Sequence, residues 1–471
     1  MQPQYPHFEP YNLSPLDHHL PPMHLTFFLT FKPEDTTQAL STLESGLSKL
    51  LFSLPFLTGN VARVSQARGV RQLQPAVPAL LDQYPMLKVK YHQKIYLPTS
   101  PSQSSEANKM SYDDVFIPLP LDHASNELSP AFRLQANVME DGLILCATMH
   151  HTVMDGKGLT NVLEALSLCC QNVHTGARLV PFTTPAEQEA GRKHILEAGL
   201  NTKPSTPTQP DVSSKVIKTS VPLIPEVPIT RRLVISNDKL GQLRDMCGSF
   251  GNDRIELSRN DIFAAVMWLC FMRARESTSP DPTDAKRKST MMTVSDTRGI
   301  MRPALSDNYM GNAYSALITE SPLCQNVYAN PSPNSPVGQM QDVIDGIKTT
   351  DIKSVAQLAI AIRRDRNALD DEYIRTEIAD VVHKTDWQPT FLEQCDYGQS
   401  SLRKFGLYDM DFGPLMGKIS DFDIPDGRLS RIAWDLPARY ANAPWELRIG
   451  LEPKVMENLR MDPLFRWVEA K

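Results

Sequence analysis

The chain is predicted to fold as an α/β protein of two mixed lobes, and three observations carry that prediction. Met23, Leu25, Phe27, Leu29 and Phe31 alternate with His24, Thr26, Phe28 and Thr30 in a strand period, and Leu40, Leu43, Leu47, Leu50, Leu51 and Leu54 follow at helical spacing until Pro55 stops them. The same mixture of strand and helix restarts near Arg232, without visible sequence repetition. Between the two, residues 201–230 hold Pro204, Pro207, Pro210, Pro222, Pro225 and Pro228 among Ser, Thr and Val, the composition of an extended connection. At roughly 150 to 200 residues per domain, 471 residues make two large domains the simplest partition: 1–200, a crossover at 201–230, and 231–471.

The elements follow in order. Phe132 to Met139 and Leu143 to Met149 are β-prone runs joined by Glu140-Asp141-Gly142, which is hairpin chemistry. Leu159, Val162, Leu163 and Leu166 then trace an amphipathic helix starting near Lys157. Past the connection, a strand near Arg232 to Ser236 leads to a helix from about Asp238. Ser258-Arg259-Asn260-Asp261 is a capping box ahead of the apolar helix of Ile262, Phe263, Val266, Leu269 and Cys270. Residues 277–289 read as a polar surface loop, and Val355, Leu358, Ala359 and Ile362 as a further helix. Leu447, Ile449 and Leu451 form a last strand before Pro453, a good first residue for a C-terminal helix.

Charge narrows the function. A net charge of -6 and a pI near 6.0, with no basic block of five or more residues, argue against nucleic acid as a partner. Met1 to Pro22 lacks the apolar stretch of a leader, and the longest apolar run, Ile262 to Met272, is too short for a bilayer. Seven cysteines without CxxC or Cys/His metal spacing read as reduced, mostly buried residues of a cytoplasmic protein.

Chemistry concentrates in Met149-His150-His151-Thr152-Val153-Met154-Asp155-Gly156, at the end of an apolar strand. With 11 histidines and roughly 6% Asp, about 0.6 chance HxxxD matches are expected, and requiring the following Gly lowers that to about 0.03. Adjacent strand residues face opposite ways, so only one of His150 and His151 can face an open channel. A His beside an Asp at a turn is commonly a structural pair, and the motif alone does not decide between that and a general base.

Several separated segments fall into one order that resembles the BAHD acyltransferases, in particular the fungal branch that includes trichothecene 3-O-acetyltransferase. They are Leu13-Ser14-Pro15-Leu16-Asp17, the Pro55 to Gly59 stretch, His151 to Gly156, Ser258 to Trp268, Ser295-Asp296-Thr297-Arg298 with Tyr309-Met310-Gly311-Asn312, and Asp411-Phe412-Gly413. The resemblance covers nearly the whole chain. It implies two chloramphenicol-acetyltransferase-like domains, each a mixed sheet with flanking helices, with an active-site channel at their interface. It also implies acyl transfer from acyl-CoA, most often acetyl-CoA, to a hydroxyl of a small secondary metabolite, with N-acylation open. The enzyme would be a monomer with no metal and no covalent enzyme intermediate.

The same resemblance assigns roles. His151 matches the family's base, and His150 becomes a structural neighbour on the other face of the strand. Asp155 matches an aspartate that turns away from substrate to pair with an arginine, here Arg298, in a geometry expected to be bidentate. Ser400 is the candidate oxyanion donor, because Ser400-Ser401 lies eleven residues before Asp411, where many members carry Thr-Ser-Trp; Leu402 stands in place of that tryptophan. Ser258, Asp411, Gly413 and Gly417 are candidates for the coenzyme A channel. The second signature is altered, reading Asp411-Phe412-Gly413-Pro414-Leu415-Met416-Gly417. Two other readings share the fold: a condensation-domain-like enzyme using a carrier-bound thioester, which the double histidine also suits, and a non-catalytic binding relative.

Overall fold

The computed structural model describes the chain apart from residues 1–5, 65–68, 99–114, 122–127, 176–181, 206–227, 251–254, 279–287, 324–342, 385, 388–394, 426–430 and 471. Most of the predicted connection at 201–230 and of the loop at 277–289 therefore lies outside the described residues.

The first lobe forms around the strand His24–Phe31, which runs antiparallel to Gly142–His150; this in turn pairs with Phe132–Met139 across the predicted hairpin. The turn is pinned from outside: Glu140 Oε1 accepts the Lys94 N–H and Asp141 Oδ1 the Leu97 N–H, both at 2.7 Å. Leu87–Tyr91 adds in parallel. Both faces of this sheet are covered. Phe27, Leu29, Leu145 and Ala147 face the main core, while Phe28, Ile144 and Cys146 meet Phe116 and Ile117 on the other side. A doubly covered strand has no polar face to show, which is why Phe28 breaks the simple alternation.

Two helices close the main face. Thr36–Ser53 is capped by Asp35, whose carboxylate accepts the N–H groups of Thr37 and Gln38, and it buries Leu40, Leu43, Leu47, Leu50 and Leu51. Each such leucine contributes roughly 1.5–3 kcal/mol on burial. Its neighbour is the helix Gly156–Thr175. The contact is close: a Cβ on Gly46 would lie 2.4 Å from Cys170 Sγ.

The second lobe is a six-stranded sheet in the order Tyr314–Glu320, Thr290–Asp296, Tyr397–Ser401, Ile432–Asp435, Trp445–Leu451, Ile229–Ile235. The predicted capping box is present: Ser258 Oγ accepts the Asp261 N–H, and Asp261 Oδ2 accepts the Ser258 N–H at 2.8 Å. The helix it starts, Arg259–Glu276, is buried from Asp261 through Met272, as expected of a helix apolar on all sides. Pro453 opens the helix Pro453–Met461. Among the described residues no helix is long and apolar enough to cross a membrane, and six of the seven cysteines are described, all as free thiols.

One strand crosses between the halves of the sequence. Asp421–Asp423 pairs with His24–Phe31 at the edge of the first sheet, and the segment around it buries Leu402, Leu407, Phe412, Met416 and Phe422 in the first core. The cut at 201–230 therefore separates the sequence more cleanly than it separates the cores. A buried ion network ties this strand to the second sheet. Arg232 donates to Asp421 at 3.1 and 3.0 Å and to Glu446, Arg448 donates to Asp423 at 3.0 Å, and Arg439 bridges Asp421 and Glu446.

Candidate active site

The motif sits where the strand Gly142–His150 breaks into the helix Gly156–Thr175. Asp155 makes the break: its Oδ1 accepts the Gly158 N–H at 2.8 Å, an N-cap, so the helix begins one residue before the predicted Lys157. The two histidines diverge as strand alternation requires. His150 is sealed, with Nδ1 accepting the Thr152 N–H at 3.3 Å and lying 2.7 Å from Thr152 Oγ1, and its ring stands edge-on to His24 at 5.5 Å. A ring nitrogen that accepts a backbone N–H carries a lone pair, so His150 is a neutral packing residue.

His151 is different. Its residue surface is half-buried; Nδ1 is sealed from solvent without a partner of hydrogen-bond geometry, whereas Nε2 is neither hydrogen-bonded nor sealed among the described residues. Burial lowers its pKa from the ordinary histidine value, opposed by its own carbonyl, by Asp155 and by the Asn312 side chain. The ring is therefore neutral near pH 7. Its own carbonyl and the Asn312 side chain favour a proton on the ring; carried on the enclosed Nδ1, that proton leaves the lone pair on the open Nε2. Tyr314 of the second lobe borders the ring edge-on at 6.1 Å.

Asp155 and Arg298 meet as anticipated, but the pairing corrects the expected geometry. Only Arg298 Nη2 reaches the carboxylate, at Oδ1 and 2.9 Å, while Oδ2 accepts the Ala313 N–H at 2.9 Å. The bidentate fork cannot form because the guanidinium has four jobs: it also donates to Asp296, to the Tyr309 carbonyl and to the Gly311 carbonyl at 2.8–3.0 Å. Both partners are fully buried. Burial opposes the guanidinium's charge, and Asp155 and Asp296 outweigh it, raising its pKa further.

Three contacts at this seam were not legible from the sequence. A Cβ on Gly158 would stand 2.0 Å from the Met310 carbonyl oxygen, so the helix start touches the second lobe's backbone. Asn312 Nδ2 donates to the His151 carbonyl at 2.8 Å, and Asn312 is itself held by Asp17, 295 residues away in sequence. Asp17 and Asn312 both lie in the segments that carry the family resemblance, but no spacing rule links them.

The remaining predicted residues fall elsewhere. Ser400 is the last but one residue of the strand Tyr397–Ser401, half-buried; two residues on, Leu402 packs against Gly156, whose Cβ would lie 3.4 Å from it. Ser258 is occupied as a helix cap. Asp411 Oδ1 accepts the Gly413 N–H at 2.9 Å, and Gly413 and Gly417 adopt φ of +92° and +76°, conformations suited to glycine. This turn docks on Gln171, which donates to the Asp411 carbonyl, and Phe412 packs edge-on against Phe31 at 5.0 Å. Gln171 lies near the far end of the motif helix, about 22 Å from its start at 1.5 Å per residue. Among the described residues no three His, Cys, Asp or Glu side chains converge as a metal ion would require.

Comparison with known proteins gives the same picture. A model of the Transferase family matches residues 105–463, and one of the trichothecene 3-O-acetyltransferase-like N-terminal domain matches residues 23–170. The chain is 28% identical to the communesin N16 acyltransferase of Penicillium expansum, covering 98% of each chain, and 27% identical to the fumigaclavine B O-acetyltransferase of Aspergillus fumigatus at the same coverage. Its fold superposes on F. sporotrichioides TRI101, crystallised with coenzyme A and T-2, with a TM-score of 0.74 at 19% identity over 98% of this chain and 99% of that one. The two-lobed chloramphenicol-acetyltransferase-like architecture is thus shared, the relatives named here are fungal acyltransferases, and the chain belongs to the Transferase family.

Proposed function

We propose that this protein moves an acyl group, acetyl in the first instance, from coenzyme A to a hydroxyl of a small secondary metabolite, with His151 as general base. The observation that carries the assignment is the state of that ring: neutral, with Nδ1 enclosed and Nε2 open, at the seam between two lobes. The family membership and the acetyltransferase relatives support the reaction class.

An alcohol is a weak nucleophile near pH 7. Nε2 takes the hydroxyl proton as the oxygen bonds to the thioester carbonyl carbon, giving a tetrahedral oxyanion. As the carbonyl re-forms, the C–S bond breaks and the imidazolium returns the proton to the departing thiolate. One residue serves both halves, and such a base is worth about 10² to 10⁴ in rate. Asp155 takes no part in proton transfer; it fixes the turn and joins the lobes. Ser400 is the donor to the oxyanion in this reading, supported by its place at a strand end whose continuation touches the motif helix. Ser258, Asp411, Gly413 and Gly417 serve the coenzyme side indirectly, as a cap and a docking turn. The protein acts as a monomer on two small substrates.

The test is thiol release from acetyl-CoA with a panel of secondary-metabolite alcohols, followed by product mass. A gain of one acetyl unit, lost by 10² to 10⁴ in His151→Ala, is the expected result. Retained turnover in that variant overturns the assignment of the base.

A further inference from the structure

Asp17 lies in a short turn, Pro15–His18, near the start of the chain, and part of its role is local. Its Oδ2 accepts the Ser14 N–H at 2.7 Å, while its own N–H goes to the Ser14 carbonyl at 3.1 Å. The other oxygen does something no local role requires. Oδ1 accepts two N–H groups of Asn312, the backbone at 2.9 Å and Nδ2 at 2.8 Å. Asn312 Nδ2 also donates to the His151 carbonyl at 2.8 Å, and its Oδ1 has no hydrogen-bond partner of good geometry among the described residues. The sealed His151 Nδ1 is orphaned in the same way, and the Asn312 side chain lies close enough to favour a proton there. Two sealed atoms of complementary type, one on each residue, thus stand without partners beside the Asn312–His151 contact at the lobe seam.

We propose that Asp17 is a positioning residue for the reaction: by gripping Asn312 in its ionised form, it holds the asparagine against His151 and so fixes both the ring's place and its tautomer. The inference rests on His151 being the base. Ionisation is required because all three partners of Asp17 are N–H donors, so both oxygens must be acceptors. A protonated carboxyl or an amide presents a donor to a donor and releases one of the three. The charged groups around Asp17 do not mask this. The side chains that sense its charge are the phenols of Tyr11, Tyr309 and Tyr314, all pushed upward and uncharged, and Arg192 from the helix Pro185–Leu200 stacks over the Tyr11 ring instead of pairing with Asp17. His18 beside it is held neutral by burial. Burial, only partly offset by the bonds from Asn312 and Ser14, raises the Asp17 carboxyl to about 6, so the grip is lost just below neutrality.

The experiment is steady-state kinetics of wild type, Asp17→Asn, Asn312→Ala and the double variant with acetyl-CoA and an accepted alcohol, each across pH 5 to 9. Expected is a kcat loss of about 10- to 100-fold in each single variant, with KM for acetyl-CoA within about twofold, and a double variant no worse than Asn312→Ala. The acid limb of wild-type kcat, near the Asp17 value, moves to lower pH in both single variants. Independent, multiplying losses in the double variant, an unchanged kcat in Asp17→Asn, or an acid limb that stays in place overturns the proposal. Should Asp17→Asn not fold, Asn312→Ala alone decides, since the limb must move there too. A wrong base assignment shows separately, as turnover surviving in His151→Ala.

Discussion

The Asp155 carboxylate faces Arg298 through a single N–H at 2.9 Å and gives its second oxygen to the backbone of Ala313. With the Gly158 N–H at the helix start, three partners from both lobes thus converge on one buried side chain. Asp155→Ala removes the helix cap, worth about 1 kcal/mol, and strands a buried guanidinium, which commonly costs about 3–5 kcal/mol. Soluble yield and melting temperature fall along with turnover. Arg298→Lys behaves similarly, because an ammonium cannot reach four acceptors spread around a planar fork. Unchanged melting and rate in both variants would remove the lobe-locking role.

Gly158 gives a second handle on the seam. Any Cβ there meets the Met310 carbonyl at 2.0 Å, so Gly158→Ala must push the Met310–Asn312 segment away from the motif helix. A loss of about 1–3 kcal/mol by thermal denaturation is expected, with reduced kcat because Asn312 moves with the segment. Wild-type kcat despite lowered stability would show that the approach matters for folding alone.

Ser400→Ala tests the oxyanion assignment. Loss of a donor commonly lowers kcat by about 10² to 10³, with little change in KM. Turnover equal to wild type, in a variant that melts normally, would leave Ser400 as an ordinary strand-end residue.

Asp435 makes the pH dependence of stability testable. It is fully buried with both oxygens on Gln399 Nε2, at 2.9 and 3.0 Å, and burial raises it to about 7 against weaker help from Gln399, Ser401, Arg403 and Arg366. A carboxyl raised in the fold binds its proton there after the unfolded chain has released it. Stability from this group is therefore fully present below an unfolded pKa of about 4 and declines as pH rises to about 7. Asp435→Asn should flatten that decline, so that its melting temperature relative to wild type is higher at pH 8 than at pH 5. Parallel curves for the two proteins would show that Asp435 does not titrate in this range.

Strands and helices of both lobes were legible where local chemistry leaves a mark: leucines three and four apart for Thr36–Ser53, β-prone residues for His24–Phe31, whose two covered faces bury Phe28 as well, and a capping box for Arg259–Glu276. His151 and Asp155 were singled out because a His and an Asp four apart, followed by Gly, at a strand end are a local pattern, while their proposed roles and the partner Arg298 came from a whole ordered set of motifs that resembled a family. What tertiary structure alone decided is how distant segments spend their hydrogen bonds. The single-pronged Asp155–Arg298 contact depends on where the carbonyls of Tyr309 and Gly311 stop. Asp421–Asp423 completes a sheet that begins at the other end of the chain, and Asp17 reaches His151 only through Asn312. Periodicity records which side of an element is buried, and it carries no information about which partner, hundreds of residues away, supplies the burial or satisfies a sealed polar atom.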